Sequence, residues 1–270
     1  MDLQLNGKTA LITGGSRGIG RGIALALAGA GCNVALTARD KAALDKVAAE
    51  VEAAGSRAHV IVADLMREGA ANELAQAVER TCGRLDILVN NAGAVGRGNF
   101  FQTPEKAWHD GFAVKFFSHV WLSRALWPLL KRGGGSLVFI SGLGARTPVA
   151  DYMIGAAVIG ASLAFMKALA DVGKRDGVQV LTVNPGSVQT DRFAHRLAVV
   201  MKSTGLDEAA AKERHRRDLD ITRFGTPADI AGLVCFAVSP HGRWLHGTAI
   251  DMDGGQVDPL RMTRYEELPR

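Results

Sequence analysis

Short apolar runs of strand length alternate along the chain with longer stretches of helical periodicity. The segment 41–54 is typical of the helical stretches, since Leu44, Val47 and Val51 fall on one face. On this pattern we expect strands at 9–13, 33–37, 59–63, 86–90, 136–141, 178–184 and 248–251. We expect helices at 20–30, 41–54, 68–82, 104–131, 151–175 and 227–238.

The expected strands are nearly all apolar, as strands covered on both faces are. Strands that alternate with helices of ten or more residues indicate βαβ units. We therefore predict one α/β domain over 1–270, a doubly wound parallel sheet flanked by helices. The segment 191–222 looks irregular and charged, which suits a lid or wall over the substrate. The polar tail at 257–270 could fray or dock on a neighbour.

The amino-acid composition limits the classes of function that the chain can have. The net charge of +5 is spread along the chain, and the one dense basic stretch, 212–217, also carries Glu213. This favours a small anionic ligand over nucleic acid. Three widely spaced cysteines and scattered histidines argue for a reducing compartment and against a metal site. The longest uncharged run, 22–38, is too short and too polar for a membrane span, and the N-terminus lacks a secretory pattern. We expect a cytoplasmic protein.

A glycine-rich loop, Thr13-Gly-Gly-Ser-Arg-Gly-Ile-Gly20, lies between the first strand and the first helix. Glycines there permit a tight turn and let the backbone approach a pyrophosphate, while the helix N-terminus offers free N–H groups. A tight strand-to-helix turn can also require glycine for structural reasons alone. In this position, however, nucleotide binding is the better interpretation.

This loop resembles the TGxxxGxG loop of the short-chain dehydrogenase/reductase family, and the similarity continues along almost the whole chain. Asp64-Leu65 resembles the pair that holds adenine, and 90–93 matches the NNAG sequence. Pro185, Gly186 and Thr190 match the PGxxxT segment that contacts the nicotinamide carboxamide. The segments 223–230 and 253–255 match C-terminal landmarks. The resemblance implies a Rossmann-type fold.

The resemblance also implies the residues that contact the cofactor. They are Gly14, Ser16, Arg17, Gly18, Ile19, Gly20, Arg39, Asp64, Leu65, Asn91, Ala92, Gly93, Pro185, Gly186, Val188 and Thr190.

The cofactor preference depends on the end of the second strand. Family members that prefer NAD usually have an acidic residue there, whereas this chain has Ala38 followed by Arg39. Arg17 and Arg39 could bind a 2′-phosphate through charge-assisted bonds, which favours NADP(H). Both could instead be solvated surface arginines. If Asp40 faces the ribose, the preference reverses.

The catalytic residues that the resemblance implies are asparagine, serine, and the tyrosine and lysine of YxxxK. Here Tyr152 is followed four residues later by Ala156, and Tyr265 lies in the tail. Counting back without a gap from Pro185-Gly186 places the family's tyrosine at Gly155 and its lysine at Ile159.

The serine and asparagine positions are also changed. The serine position falls on or beside Gly142, with Ser141 adjacent, and the asparagine position is Lys115. Two explanations remain. In a rebuilt site, Ser141 holds a carbonyl while Lys115 lowers the pKa of Tyr152, its partner in proton transfer. Such a protein interconverts a carbonyl and an alcohol.

Alternatively, the protein binds NADP(H) without redox turnover, as a sensor or scaffold, and the same three side chains are structural. Non-redox chemistry such as hydration or elimination is a third possibility. Against a purely structural role, a buried lysine is costly without a partner or a task.

Oligomerisation is a further expectation from the resemblance. In related enzymes the fourth long helix and the helix after it pack against their copies, which implies a homodimer or homotetramer. Small residues fill 155–162 on the second of these helices. Ordinary core packing explains part of both patterns. The aromatic residues on the first helix are Trp108, Phe112, Phe116, Phe117, Trp121 and Trp127.

Overall fold

A computed structural model describes residues 1–256 of the chain. Seven parallel strands form one sheet in the order β3-β2-β1-β4-β5-β6-β7. The strands are β1 (Thr9–Thr13), β2 (Asn33–Ala38), β3 (Ala58–Val62), β4 (Ile87–Asn90), β5 (Ser136–Ile140), β6 (Gln179–Pro185) and β7 (Ala249–Met252). The predicted doubly wound, Rossmann-type α/β fold is confirmed.

Helices cover both faces of the sheet. They are α1 (Gly18–Gly29), α2 (Lys41–Ala53), α3 (Ala70–Cys82), α4 (Glu105–Phe112), α5 (Ser118–Gly133), α6 (Met153–Asp176), α7 (Asp191–Thr204), α8 (Glu208–Asp218) and α9 (Pro227–Val238). A π turn, Ala113–Phe117, joins α4 to α5. The predicted tail at 257–270, with Tyr265, lies outside the described residues.

Alternate residues of each strand enter two separate cores, because side chains along a strand point to opposite faces. Ile12 packs with Ile23 of α1 and Ile230 of α9 in one core. Leu11, its neighbour in β1, packs with Leu122 of α5 in the other. This two-sided burial explains why the strands are apolar at nearly every position.

The segment 191–222 is not irregular, as the sequence pattern suggested, but holds α7 and α8. Asp207 caps α8 by accepting a hydrogen bond from the backbone N–H of Ala210 at 2.8 Å. Glu213 then pairs with Arg216 and Arg217, three and four residues on. High charge density was the misleading signal, since spaced ion pairs of this kind stabilise a helix.

One helical stretch, Ala150–Asp176, is long and apolar enough to cross a membrane by length and composition. In this fold it packs on the sheet, with Met166 and Ala170 in the core beside Val178 and Val180. Core helices of α/β proteins pass the same test of hydropathy. The stretch therefore carries little weight as a sign of membrane insertion.

Candidate active site

The glycine loop after β1 is held in a shape that only glycine permits. Gly14 and Gly18 have φ of 64° and 56°, a region that side chains other than glycine rarely adopt. A Cβ on Gly20 would overlap the carbonyl oxygen of Gly14. The loop and the start of α1 are therefore in close contact. This cradle fits a dinucleotide pyrophosphate.

Thr13 and Asn91 join this loop to the turn after β4. Thr13 Oγ1 accepts hydrogen bonds from the backbone N–H groups of Asn91 and Ala92, both at 2.9 Å. Asn91 Nδ2 in turn donates to the carbonyl oxygen of Thr13 at 2.9 Å. A Cβ on Gly14 would lie 3.0 Å from that amide nitrogen. The two predicted cofactor segments are thus built as one unit.

The segment after β6 forms the opposite side of the cradle. Gly186 lies so close to Asp253 that a Cβ would come within 2.7 Å of the Asp253 side chain. Val188 forms a parallel bridge with Gly225. Thr190 is the N-cap of α7, and its methyl group lies 3.5 Å from the Cβ position of Gly18.

The side chains at the expected adenosine end are mostly exposed. Arg17 and Arg39 are exposed, and Arg17 lies 4.0 Å from Asp191. Asp40 caps α2 by accepting a hydrogen bond from the Ala43 N–H at 3.1 Å. Its carboxylate is therefore already engaged within its own helix. Asp64 is exposed and accepts from the Met66 N–H at 3.0 Å.

Four more predicted cofactor residues are partly buried. Ile19 and Leu65 are half-buried against the two cores. Ser16 is half-buried in the glycine loop, and Pro185 ends β6.

The hydroxyl of Ser141 is buried at the end of β5 and has no hydrogen-bond partner within residues 1–256. A buried polar atom without a partner is unusual and often marks a ligand position. The backbone of Ser141 is fixed, because its N–H donates to the carbonyl oxygen of Val183 at 2.9 Å. The hydrogen-bonding capacity of this hydroxyl is therefore unused within residues 1–256.

Lys115 lies in the π turn, and only 6% of it is exposed. Single π turns within helices are frequent at functional sites. Its Nζ donates a hydrogen bond to the carbonyl oxygen of Ser141 at 2.8 Å. Burial first, and then the like charge of Arg192, lower the pKa of Lys115 to about 8. No carboxylate in the described chain pairs with this ammonium.

His119, one turn beyond Lys115, is buried and bonds through Nε2 to the carbonyl oxygen of Ala92 at 2.8 Å. Burial is the main cause that lowers the pKa of His119 to about 4, so the imidazole is neutral at physiological pH. Of these two neighbouring side chains, Lys115 rather than His119 therefore carries a positive charge at physiological pH.

Tyr152 lies immediately before α6, with its ring over Gly155. A Cβ on Gly155 would overlap the ring at Cζ and at both Cε carbons. The hydroxyl end of Tyr152 thus lies where a side chain at position 155 would begin. Gly144 packs on the same ring, with its Cβ position 3.2 Å from Cε1.

The cation beside Tyr152 is not Lys115. Arg97, in the loop after β4, places its guanidinium carbon 4.9 Å from the centre of the Tyr152 ring. The same guanidinium pairs with Asp151 at 2.6 Å. The structure joins Lys115 to Ser141 and Arg97 to Tyr152, but no hydrogen bond within residues 1–256 links Lys115 to Tyr152.

Sequence reasoning did not identify Arg97 or Arg196 as site residues. Arg196 lies on α7, and its electrostatic interactions are with Arg97, Arg192, Tyr152 and Asp151. The sequence offered one signal: the basic side chains at 192 and 196 share a helix face. That signal depends on knowing that 191–204 is a helix.

Residues 8–198 match the family model described as short chain dehydrogenase. An uncharacterized oxidoreductase of Mycobacterium tuberculosis (strain CDC 1551 / Oshkosh) is 34% identical over 263 residues, which is 95% of this chain and 94% of that protein.

Two solved structures share the fold along nearly their full length. L-sorbose reductase from Gluconobacter frateurii, in complex with NADPH and L-sorbose, has a TM-score of 0.91 and 28% identity, over 96% of this chain and 100% of that one. A 7α-hydroxysteroid dehydrogenase with NADH and 7-oxo glycochenodeoxycholic acid has a TM-score of 0.85 and 28% identity, over 96% and 98% of the two chains.

The lowered pKa of Lys115 predicts a specific pH dependence of stability. Its pKa is about 8 in the folded protein and 10.5 as an ordinary lysine. Between these values the unfolded chain binds a proton that the folded chain has released, so the free energy of unfolding rises with pH. Relative to Lys115→Met, wild-type stability should increase by up to about 3 kcal/mol over that window.

Urea unfolding of the cofactor-free protein between pH 7 and pH 10 measures this difference. Lys46→Met, which removes an exposed lysine, is the matched control. A wild-type minus Lys115→Met difference that stays flat across the range contradicts the assignment.

Proposed function

The chain belongs to the short-chain dehydrogenase/reductase family of oxidoreductases, and we propose that it transfers hydride between NADP(H) and a carbonyl/alcohol pair through a rearranged proton-transfer site. The observation that carries the proposal is the position of the Tyr152 ring over Gly155. There a phenol stands at the point on α6 where the family's tyrosine side chain would begin. The protein keeps a proton donor although the YxxxK pair is absent.

The preference for NADP(H) is supported by charge. Arg17 and Arg39 are both exposed beside the expected adenosine ribose, and guanidinium groups match a phosphate dianion in geometry and charge. Asp40, the residue that could reverse the preference, caps α2. The residue that ends β2 is Ala38, and the Asp40 carboxylate after it is held at the N-terminus of α2.

Ser141, Tyr152 and Lys115 are the proposed catalytic residues. Bound NADPH would supply the hydride to the substrate carbon. The free hydroxyl of Ser141 donates a hydrogen bond to the substrate carbonyl oxygen and orients it. Tyr152 then provides the proton that the developing alkoxide requires, because an alkoxide is far more basic than a phenolate.

Lys115 is proposed to act with Tyr152 in proton transfer. Its ammonium bonds to the backbone of Ser141, so it fixes the loop that carries the serine hydroxyl. A pKa near 8 also suits an exchangeable proton at physiological pH. Arg97 places a positive charge over the Tyr152 ring.

The second candidate function is an NADP(H)-binding protein without turnover, acting as a sensor or scaffold. One observation favours it: Lys115 and Tyr152 each have a structural contact, with Ser141 and Arg97 respectively, and none with each other within residues 1–256. Both candidates require cofactor binding. They differ in whether any ketone, aldehyde or alcohol changes the absorbance of the nicotinamide at 340 nm.

Assembly and location are part of the proposal. Phe117 and Trp121 stack on the surface with ring centroids 6.2 Å apart, and 44% and 48% of them are exposed. Such a surface would be covered in a homodimer or homotetramer. A small-molecule substrate and a cytoplasmic location complete the proposal.

The proposed contribution of Arg39 to NADP(H) preference can be tested by reversing its charge. Wild-type protein should bind NADPH more tightly than NADH. Arg39→Asp should weaken NADPH binding about 10- to 100-fold, the size of a lost charge-assisted contact with repulsion added, and leave NADH binding nearly unchanged. Fluorescence titration of both cofactors measures the ratio. Lys46→Asp makes the same change of charge on α2 and should keep it.

Equal wild-type affinity for the two cofactors would refute the NADP(H) assignment, as would a ratio that Arg39→Asp leaves unchanged.

The rearranged site can be tested with two substitutions on α6 and one before it. Gly155→Ala places a methyl group on the Tyr152 ring and must displace it. Turnover of the best carbonyl substrate should fall about 10- to 100-fold, because small misplacements of a catalytic group are costly. Tyr152→Phe should lower it by about 100-fold or more. NADPH binding should persist in both.

Gly160→Ala is the matched control for Gly155→Ala. Its new Cβ would lie 4.0 Å from Ala145 Cβ, an ordinary contact, on the same helix. This variant should turn over like wild type. Wild-type rates in both Gly155→Ala and Tyr152→Phe would show that the phenol has no part in the reaction.

A further inference from the structure

Helix α7 carries a pair of arginines from the cofactor loop towards Tyr152. Asp191, its first residue, lies 4.0 Å from Arg17 of the glycine loop. Arg192 and Arg196 are one turn apart and share a face. Arg196 lies five residues beyond Asp191, about 7.5 Å along the axis. The pair therefore extends away from the pyrophosphate cradle and towards the substrate side.

The neighbouring stripe of α7 holds this face at the edge of the core. Phe193 packs on Phe224 with ring centroids 4.6 Å apart, and Leu197 is 4% exposed. Arg196 lies on the same turn of α7 as Leu197 and is half-buried. Its side chain is thus partly shielded from bulk solvent.

Arg196 has no hydrogen-bond or ion-pair partner within residues 1–256. Its environment is repulsive: burial first, and then the charges of Arg97 and Arg192, lower the pKa of Arg196. The carboxylate of Asp151 also acts on it, but that group is bonded to Arg97 at 2.6 Å. A half-buried guanidinium among like charges is unfavourable unless an anion joins it.

A second polar group faces the same region. His215 of α8 has a buried Nε2 without a partner in the described chain. Burial and then the charge of Arg196 lower the pKa of this imidazole, so it is neutral. Its ring packs against both Phe193 and Phe224, at centroid distances of 6.2 and 5.6 Å. A guanidinium without a partner beside aromatic rings can bind the anionic group of an organic ligand through charge-assisted hydrogen bonds.

We propose that the substrate carries an anionic group, a carboxylate or a phosphate, and that Arg196 binds it beside Tyr152. Arg192 and Arg97 add positive potential around Arg196, and His215 lies near it. The inference rests on the proposed function, since it names the substrate class of the same site. It assigns specificity to α7, whereas the chemistry stays with Ser141, Tyr152 and Lys115.

In the reaction the anionic group serves only for binding and is not changed chemically. The ketone carbon receives the hydride of NADPH, the π electrons of its C=O bond move to oxygen, and that oxygen takes the proton of Tyr152. An oxo acid becomes a hydroxy acid, NADPH becomes NADP⁺, and solvent returns one proton to the phenolate. The reverse reaction oxidises the hydroxy acid.

Binding can be measured apart from turnover. Protein saturated with NADP⁺ cannot reduce a ketone, so thermal shifts report affinity alone. The probes are pyruvate, acetoacetate, 4-oxopentanoate and 5-oxohexanoate, each beside its methyl ester. Dihydroxyacetone phosphate, compared with dihydroxyacetone, tests whether the anionic group is a phosphate. The wild type should bind at least one anion about tenfold or more tightly than its neutral counterpart.

Arg196→Met should reduce that ratio about tenfold or more, and Arg196→Lys should recover part of it, because the charge remains without the planar fork. Arg124→Met removes an exposed arginine on α5 and should keep the wild-type ratio. With NADPH, kcat/KM should show the same order among the variants.

The inference is overturned if every neutral counterpart binds the wild type as tightly as its anion, or if the ratio survives Arg196→Met. Its failure differs from that of the proposed function. Anions that bind through Arg196 but never react would refute turnover and leave this inference standing. Neutral ketones that turn over without any preference for anions would refute this inference alone.

Discussion

A buried ammonium ion at the carboxyl edge of the sheet constrains much of this site. Lys115 is charged near neutral pH and 6% exposed, and its hydrogen bond is to a backbone carbonyl rather than to a carboxylate. A Cβ on Gly93 would lie 3.0 Å from Lys115 Cβ, so the turn after β4 must carry glycine where the lysine passes. Gly93, Lys115 and Ser141 thus fix the ends of β4 and β5 against the π turn.

The second constraint is an absent side chain. Because Gly155 has no Cβ, the Tyr152 ring can lie across α6 and pack on Gly144. Tyr152 thus folds back over the start of α6 from the turn that precedes it. The loop that carries Ser141 thereby contacts both side chains, Lys115 through the Ser141 carbonyl oxygen and Tyr152 through Gly144.

Much of the fold could be predicted from the sequence, because buried parallel strands are apolar and helices are periodic. The strand Thr9–Thr13 and the helix Pro227–Val238 have the expected bounds. Charge density hid α7 and α8, since polar pattern alone does not distinguish a surface helix from a loop. The π turn was also missed, because one inserted residue leaves the helical pattern on both sides intact.

Within the site, the sequence placed Lys115, Ser141 and Tyr152 in one region but not their contacts. Lys115 was expected beside Tyr152, whereas its ammonium bonds to Ser141 and Arg97 covers the phenol ring. Arg97 and Tyr152 are far apart in sequence, and only the loop after β4 brings them together. Contacts that depend on loop conformation have no periodic signal from which they could be read.

A crystal structure of the protein with NADPH bound tests the central claim most directly. The rearranged site requires that Tyr152 Oη, Ser141 Oγ and the nicotinamide C4 border one space able to hold a carbonyl group, with reacting atoms about 3–3.5 Å apart when substrate is present. We predict that arrangement, with Lys115 Nζ still on the Ser141 carbonyl oxygen. A Tyr152 hydroxyl directed away from the nicotinamide, with no other proton donor beside Ser141, would contradict it.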